Sequence, residues 1–467
     1  MQNRQSQHNF AITPAVNIGR SVFDRSFTIK DAFDFDYLIP IMVDEVLPGD
    51  TFNLRMSAFA RLATQVVPVM DNMYLDFFFF YVPNRLVWSN WEKFNGAQDN
   101  PGDSTDFTLP TLPFTANNPD VGTIFDKMGL PTDVAAGYTL NNTLPLRCYN
   151  KIWNDWFRSE DLQNKVTENT DNGPDAPGDY TLLKRGKRHD YFTSCLPWPQ
   201  KGDAVSLPLG TEAPITGLGL YSPGASPVSI SNIYQSGETA VTSWTGWSVD
   251  GIDAALSSGQ THMVVRREGS TSYPDIVADL TNATASTINE LRQALQIQSI
   301  LELDARCGTR YVEILRAHFG VVSPDFRLQR SEYLGGGSTT INTHPVPQTS
   351  STTGSYAQGA LASFATASTS GIGFSKSFVE HGYIIGLACA RADITYQQGI
   401  NRLWTRSTRY DFFWPKLQQI GEQAVLNKEL YLDGSANDAL TFGYQERYAE
   451  YRYKPSEIHG VLRSQYA

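Results

Sequence analysis

The sequence has 467 residues, of which 41% are hydrophobic and 18% charged. That is enough for several ordinary domains or one large β domain with long insertions, and it excludes a disordered chain. The 36 Gly and 25 Pro beside 25 Phe, 22 Tyr and 9 Trp favour short strands, turns and ordered loops over a helical bundle or coiled coil. The 48 acids outnumber 37 Lys and Arg, for a net charge of −11, so the surface as a whole is not built to coat nucleic acid or an anionic membrane; one local basic face remains open.

Residues 1–30 form an expected N-terminal arm. Arg4, Arg20, Arg25 and Lys30 stand against one acid, Asp24, and the first ten residues are polar apart from Phe10, with no signal-peptide core. The sign then reverses, with six acids and no base over residues 31–50. Phe33, Phe35, Tyr37 and Ile39 recur at period two, which predicts a half-buried strand, and Leu47-Pro48-Gly49-Asp50 predicts a turn. Residues 51–70 and 72–82 read as two long strands. Residues 74–81 are apolar on both faces except at Asp76, so that strand needs cover on both sides, from a sandwich interior or from a neighbouring subunit.

Helical signals follow. Asn84, Leu86, Val87, Trp88, Trp91 and Phe94 precede Gly96, and Tyr149, Ile152, Trp153, Trp156 and Phe157 share a face; both stripes read as packing surfaces. Residues 201–285 are rich in Gly, Ser, Thr and Pro and read as an inserted surface excursion. Thr287 and Glu290 have capping-box spacing before a long helix bearing Ile288, Leu291, Leu295 and Leu301. Gly308 interrupts it, and a second helical piece over 311–319 ends at Gly320. Residues 335–370 read as a loop. A strand over 382–396 and a strand pair in the last thirty residues complete the chain.

Signatures of catalysis are missing. Gly335-Gly336-Gly337-Ser338 lacks the Lys-Ser/Thr of a phosphate loop and reads as flexible. His189, Asp190, Ser194 and Cys195 are neighbours in sequence, which is not how triads are assembled. His318 and His381 read as structural, and Asp171, Asp175 and Asp179 as a solvated loop rather than a hard-cation site. The four cysteines, Cys148, Cys195, Cys307 and Cys389, are far apart and read as reduced thiols of a protein made in a cytoplasm. No enzyme activity, metal or cofactor is expected.

Two basic features stand out. Lys184, Arg185, Lys187 and Arg188 fall within five residues, and Arg447, Arg452 and Lys454 interleave with Tyr444, Tyr448, Tyr451 and Tyr453. Arg402, Trp404, Arg406, Arg409, Tyr410, Phe412, Phe413 and Trp414 precede the second group. Cations neutralise phosphates while rings stack on bases, the chemistry of single-stranded nucleic acid binding; the same mixture also occurs at protein–protein interfaces.

Longer strings carry a resemblance. FNLRMSAFARLAT (52–64), LDFFFFYVPNRL (75–86), KRHDYFTSCLPWPQKG (187–202), GTRYVEILRAHFGVVSPDFRLQRSEYLGGGS (308–338), RADITYQQGINRLWTRSTRYDFFWP (391–415) and FGYQERYAEYRYKPSEI (442–458) resemble the major capsid proteins of gokushoviruses, small single-stranded DNA bacteriophages of the microvirus family. The resemblance covers nearly all of the chain outside 201–285. It implies a mainly β fold, an eight-stranded antiparallel jelly roll whose long loop insertions contain several helices. The core would comprise 31–200 and 286–467, with 201–285 forming a protrusion at the three-fold axes.

The implied function is a T=1 icosahedral shell of identical subunits around circular single-stranded DNA. The implied partners are that genome, internal scaffolding, small DNA-binding and DNA-pilot proteins, and the bacterial host surface. The protein would be made in the host cytoplasm and reside in the virion. Chains of that family tend to run on past QERYAEYRYKP with a further segment, and this sequence stops at Ala467. Lys184, Arg185, Lys187, Arg188, Arg447, Arg452 and Lys454 are the candidate DNA contacts, on an inward face richer in cations and rings than the outward one. Trp244 and Trp247 are candidate host contacts. In the competing reading, a soluble β-rich carbohydrate-binding protein, the same two tryptophans are sugar platforms.

Overall fold

The computed structural model describes residues 19–65, 69–114, 119–134, 137–203, 205, 215–216, 277–278, 288–307, 311–320, 329–354, 357–418 and 420–464. The chain divides into two units. The first comprises Met1–Thr193, Pro324–Gln397 and Pro455–Ala467, and the second Ser194–Ser323 and Gln398–Lys454.

Six strands build the main sheet of the first unit: β1 (Ile39–Val46), β2 (Thr51–Arg61), β3 (Met73–Pro83), β4 (Glu332–Pro347), β5 (Leu361–Ser377) and β6 (Gly382–Ala392). They form one antiparallel sheet in the order β1-β6-β3-β4-β5-β2. The two outermost strands, β1 and β2, are consecutive in the chain and joined by the turn at Leu47-Pro48-Gly49-Asp50. Gly49 takes φ 90° there, and Asp50 donates its N–H to the Leu47 carbonyl at 3.0 Å. A sheet whose two edges meet through four residues must curl. Its inner face encloses Met42, Val46, Phe79, Tyr81, Phe374, Phe378 and Ile384 towards one end and Met73, Leu75, Phe77, Ile341, Ala365 and Ala388 towards the other. This is the mainly antiparallel jelly-roll class with insertions.

The central strand β3 explains its neighbours. Phe77, Phe78 and Phe79 lie opposite Gly337, Gly336 and Gly335 of β4 on one side, and opposite Ala388, Leu387 and Gly386 of β6 on the other. Large rings in the middle strand fit because the flanking strands are nearly bare. A methyl group on Gly336 would fall on the Phe77 carbonyl oxygen, and one on Gly337 would meet Ile372. The glycine run is therefore a paired strand and not a flexible loop. The loop expected over 335–370 is replaced by most of the β4–β5 hairpin. Period-two reading fails where glycines leave no side chain to alternate.

Cover for the outer face of β3 comes from the chain itself. Phe80 and Val82 pack with Val87, Trp88, Leu112, Phe114, Ile124 and the helix α1 (Leu144–Ile152), which continues as a π turn through Trp153–Phe157. Burying each such large side chain stabilises the fold by roughly 2–3 kcal/mol. The single helix expected after Asn84 is two one-turn pieces, Asn84–Val87 and Trp91–Phe94. The break falls at Trp88, whose extended backbone sends a fully buried ring to donate its N–H to Asn172 at 2.8 Å. The strand expected from Phe33 begins only at Ile39, because Asp36 takes φ 70° and breaks the alternation.

In the second unit, helices α2 (Ile288–Cys307) and α3 (Tyr311–Phe319) stand where the spacing places them. Gly320, at φ 67°, ends α3 by donating to the Arg316 carbonyl at 3.0 Å. Thr287, the expected cap, lies outside the described residues. Strands β7 (Glu422–Leu426) and β8 (Thr441–Glu446) pair antiparallel, so only the second of them falls in the last thirty residues. Ile215–Thr216 pairs antiparallel with Val277–Ala278, bringing together two points 61 residues apart in the 201–285 excursion. Trp244 and Trp247 lie between them, outside the described residues. Among the described residues no helix is long and apolar enough to cross a membrane.

Candidate genome and subunit interfaces

The 184–188 cluster is anchored to the first unit by acids. Lys184 bridges to Tyr37 through the backbone, and its ammonium sits 5.2 Å from the centre of that ring. Arg185 reaches inward. It donates to Asp76 at 2.5 Å and lies over the Phe78 ring at 4.6 Å. Asp76 is only 3% exposed; it also accepts from Ser338 at 2.5 Å and has Arg391 2.9 Å away. Burial pushes the Asp76 carboxyl upward, but the Ser338 and Arg185 hydrogen bonds and the two guanidinium charges outweigh it and hold its pKa below the ordinary value. Lys187 pairs with Asp36 at 2.9 Å, and Arg188 with Asp393 at 3.1 Å while lying 4.3 Å from the centre of the Tyr74 ring. Arg185 is thus a core tether, whereas Lys187 and Arg188 are surface groups with neighbouring acids.

The acids read as a solvated loop behave differently. Asp175 is buried and receives two hydrogen bonds from Arg147, at 2.6 and 2.9 Å, and one from the Tyr180 hydroxyl at 2.6 Å. Asp171 accepts from the same Arg147, and Asp179 from Asn169. Burial raises the Asp175 carboxyl and these donors lower it further than that, leaving it below its usual pKa. Asp190 caps its own turn, accepting from Phe192 and Thr193, and takes the Tyr396 hydroxyl at 2.6 Å. These carboxylates are structural. Nothing in the spacing of Asp171, Asp175 and Asp179 announces the arginine 28 residues upstream.

The second unit presents a surface of rings and cations built on short 3-10 turns. Asn401 caps the first, at Arg402–Trp404, accepting from Leu403 at 3.0 Å. Asp411 caps the next, at Arg409–Asp411, where hydrogen bonds from the Thr408 and Ser407 backbones hold its pKa down at about 2. Arg406 stacks 4.3 Å from the centre of the Tyr451 ring and pairs with Glu450 at 3.3 Å, and Arg409 lies over Tyr410 and Trp414. Trp404 is 76% exposed, and Tyr410, Phe412, Phe413, Trp414, Tyr451 and Tyr453 are exposed with it. Of the predicted cations here, Arg447 is half-buried against Tyr448, Arg452 pairs with Glu446, and Lys454 is exposed. Arg406 and Arg409, interleaved in the sequence with Tyr410, Phe412 and Trp414, are stacked on rings here.

An exposed apolar surface of this kind calls for a partner that covers it. Comparison with known proteins gives the chain's family. The profile of the capsid protein (F protein) family matches residues 11–467. The chain belongs to that family.

Its relatives include the capsid protein VP1 of Bdellovibrio phage phiMH2K, 54% identical over 473 residues that span 100% of this chain and 86% of that protein. The capsid protein VP1 of Chlamydia phage 1 is 40% identical over 522 residues, covering 98% of this chain and 87% of the relative. That of Spiroplasma virus 4 is 37% identical over 473 residues, covering 98% and 85%. The chain is therefore a structural capsid protein of gokushovirus type and not an enzyme. It assembles with copies of itself into a shell and resides in the virion.

Proposed function

We propose that this capsid protein closes into a T=1 icosahedral shell around circular single-stranded DNA after synthesis in the bacterial cytoplasm. Scaffolding, small DNA-binding and DNA-pilot proteins of the virus act with it. Residues 31–200 and 286–467 form the shell wall, residues 1–30 an arm against a neighbour, and 201–285 an outward protrusion that meets the host surface through Trp244 and Trp247. The reading is carried by one observation: rings from Trp404 to Tyr453 and the arm residues Val22, Phe23, Phe27 and Ile29 are exposed in a single chain. A chain that stayed solitary would leave all of this apolar surface in water.

On the genome side, Lys184, Lys187 and Arg188 of the first unit and Arg447, Arg452 and Lys454 of the second neutralise phosphates, with Arg406 and Arg409 of the second unit presenting stacked rings. Arg185 contributes by fixing the segment. Sedimentation and electron microscopy of the protein expressed with its viral helpers test the assembly: closed particles of uniform size are expected, and a chain that remains monomeric under those conditions overturns it. Particles of Lys187→Ala/Arg188→Ala are expected to package less DNA. Unchanged packaging and unchanged salt dependence would remove these two residues from the genome contact.

A further inference from the structure

Residues 22–30 have the makings of a β-strand without a partner strand. Phe23, Phe27 and Ile29 alternate with Asp24, Ser26, Thr28 and Lys30, and Val22, Phe23, Phe27 and Ile29 are 96%, 78%, 61% and 51% exposed. The segment lies in no helix or strand, and Asp24 accepts from the Ser26 N–H at 3.0 Å. Among the described residues, no backbone group from 19 to 35 is hydrogen-bonded to another backbone group. Side chains alone pin it. Arg20 donates to the Gly49 carbonyl, Arg25 pairs with Asp44 at 2.9 Å, and Lys127 holds Asp31. The arm therefore starts beside the β1–β2 turn and runs along β1, leaving its own β2 behind.

Strand β2 is the complementary half. Among the described residues it pairs with β5 on one side only, so its eleven residues present an open edge there. Phe52, Leu54 and Met56 on its inner face are only half-buried, and its outer face carries Arg55 and Arg61 with no acid. An unprotected edge of this length is a template for another chain.

We propose that the arm of one subunit adds as an antiparallel strand to the open β2 edge of a second copy of this chain. The proposal rests on the shell reading above and specifies one of its contacts. Setting Asp24 opposite Arg55 places a carboxylate against a guanidinium. The same register puts Phe23 opposite Met56 and Phe27 opposite Phe52, on the side where β2 has apolar surface to share. Arg25 interrupts that side and stays with Asp44 of its own chain. The contact is head-to-tail, from arm to edge, so only a closed ring of subunits satisfies every arm and every edge.

Cysteine pairing and charge exchange test it in assembled particles. Asp24→Cys/Arg55→Cys particles, mildly oxidised, are expected to run on a non-reducing gel as a ladder of dimers and higher multiples, which neither single variant gives. Asp24→Arg alone is expected to lower particle yield about tenfold, since like charges then face each other in every copy. Asp24→Arg/Arg55→Asp is expected to restore it. A cross-link confined within one chain, or particles that form at full yield with Asp24→Arg and give no ladder, would overturn strand addition while leaving shell assembly intact. Failure of the unaltered chain to form particles would instead strike the shell reading itself.

Discussion

Arg185 and Lys187 are two residues apart in one basic run, yet they do different work. Arg185 neutralises a carboxylate that is 3% exposed, so removing it takes a hydrogen bond and one of two guanidinium charges from a buried acid. Arg185→Ala should cost roughly 3 kcal/mol in urea unfolding of dissociated subunits, whereas Lys187→Ala should cost less than about 1 kcal/mol. A similar argument gives a pH dependence. Asp175 is held below its ordinary pKa by Arg147 and Tyr180, so its contribution is complete above about 4 and is lost as pH falls through the lowered folded value. Asp175→Asn should therefore be less stable than the native chain at pH 7, by roughly 3 kcal/mol, with the gap narrowing below about pH 4 when unfolding is followed by tryptophan fluorescence. Sequence alone located the basic cluster but not its division of labour. The acids that divide it, Asp36, Asp76 and Asp393, come from three distant segments and meet only once the sheet has formed.

Among the strands, legibility followed the side chains. The double-sided apolarity of β3 announced two layers of cover, and both exist: the curled sheet inside and the insertion carrying Trp88 and α1 outside. The half of that expectation assigning the outer cover to a neighbouring subunit is answered by the chain's own helices. β4 was illegible because its glycines respond to bulk on the facing strand, information that does not reside in β4 itself. Gly373 of β5 is another such position. A Cβ there would fall on the Leu54 carbonyl oxygen of β2, backbone that cannot swing aside. Gly373→Ala should separate β5 from β2 and destabilise the subunit by roughly 1–3 kcal/mol, while Gly354→Ala, in open space, should leave the thermal midpoint unchanged.

At the level of the whole molecule, the acidic balance of −11 coexists with a ring-rich cationic surface in the second unit. If that surface faces DNA, genome retention should weaken with salt while the apolar contacts between subunits hold. Particles taken from about 0.1 to 1 M salt are expected to release DNA before they dissociate, as read by sedimentation with absorbance at two wavelengths. The excursion should be separable in the opposite sense. Deleting 217–276 is expected to leave assembly intact and to reduce attachment to host cells; loss of particles on deletion would make the segment architectural.

The short ladder joining Ile215–Thr216 to Val277–Ala278 has a wider consequence. A detour whose departure and return stand side by side behaves as a cassette on a fixed socket. Its contents can be lengthened, trimmed or exchanged for an unrelated sequence at little entropic cost to the body that bears it. On the proposed outward placement of this segment, variation there would alter the particle's exterior while the masonry underneath stays the same, and foreign epitopes grafted between Thr216 and Val277 should be displayed on particles of native size.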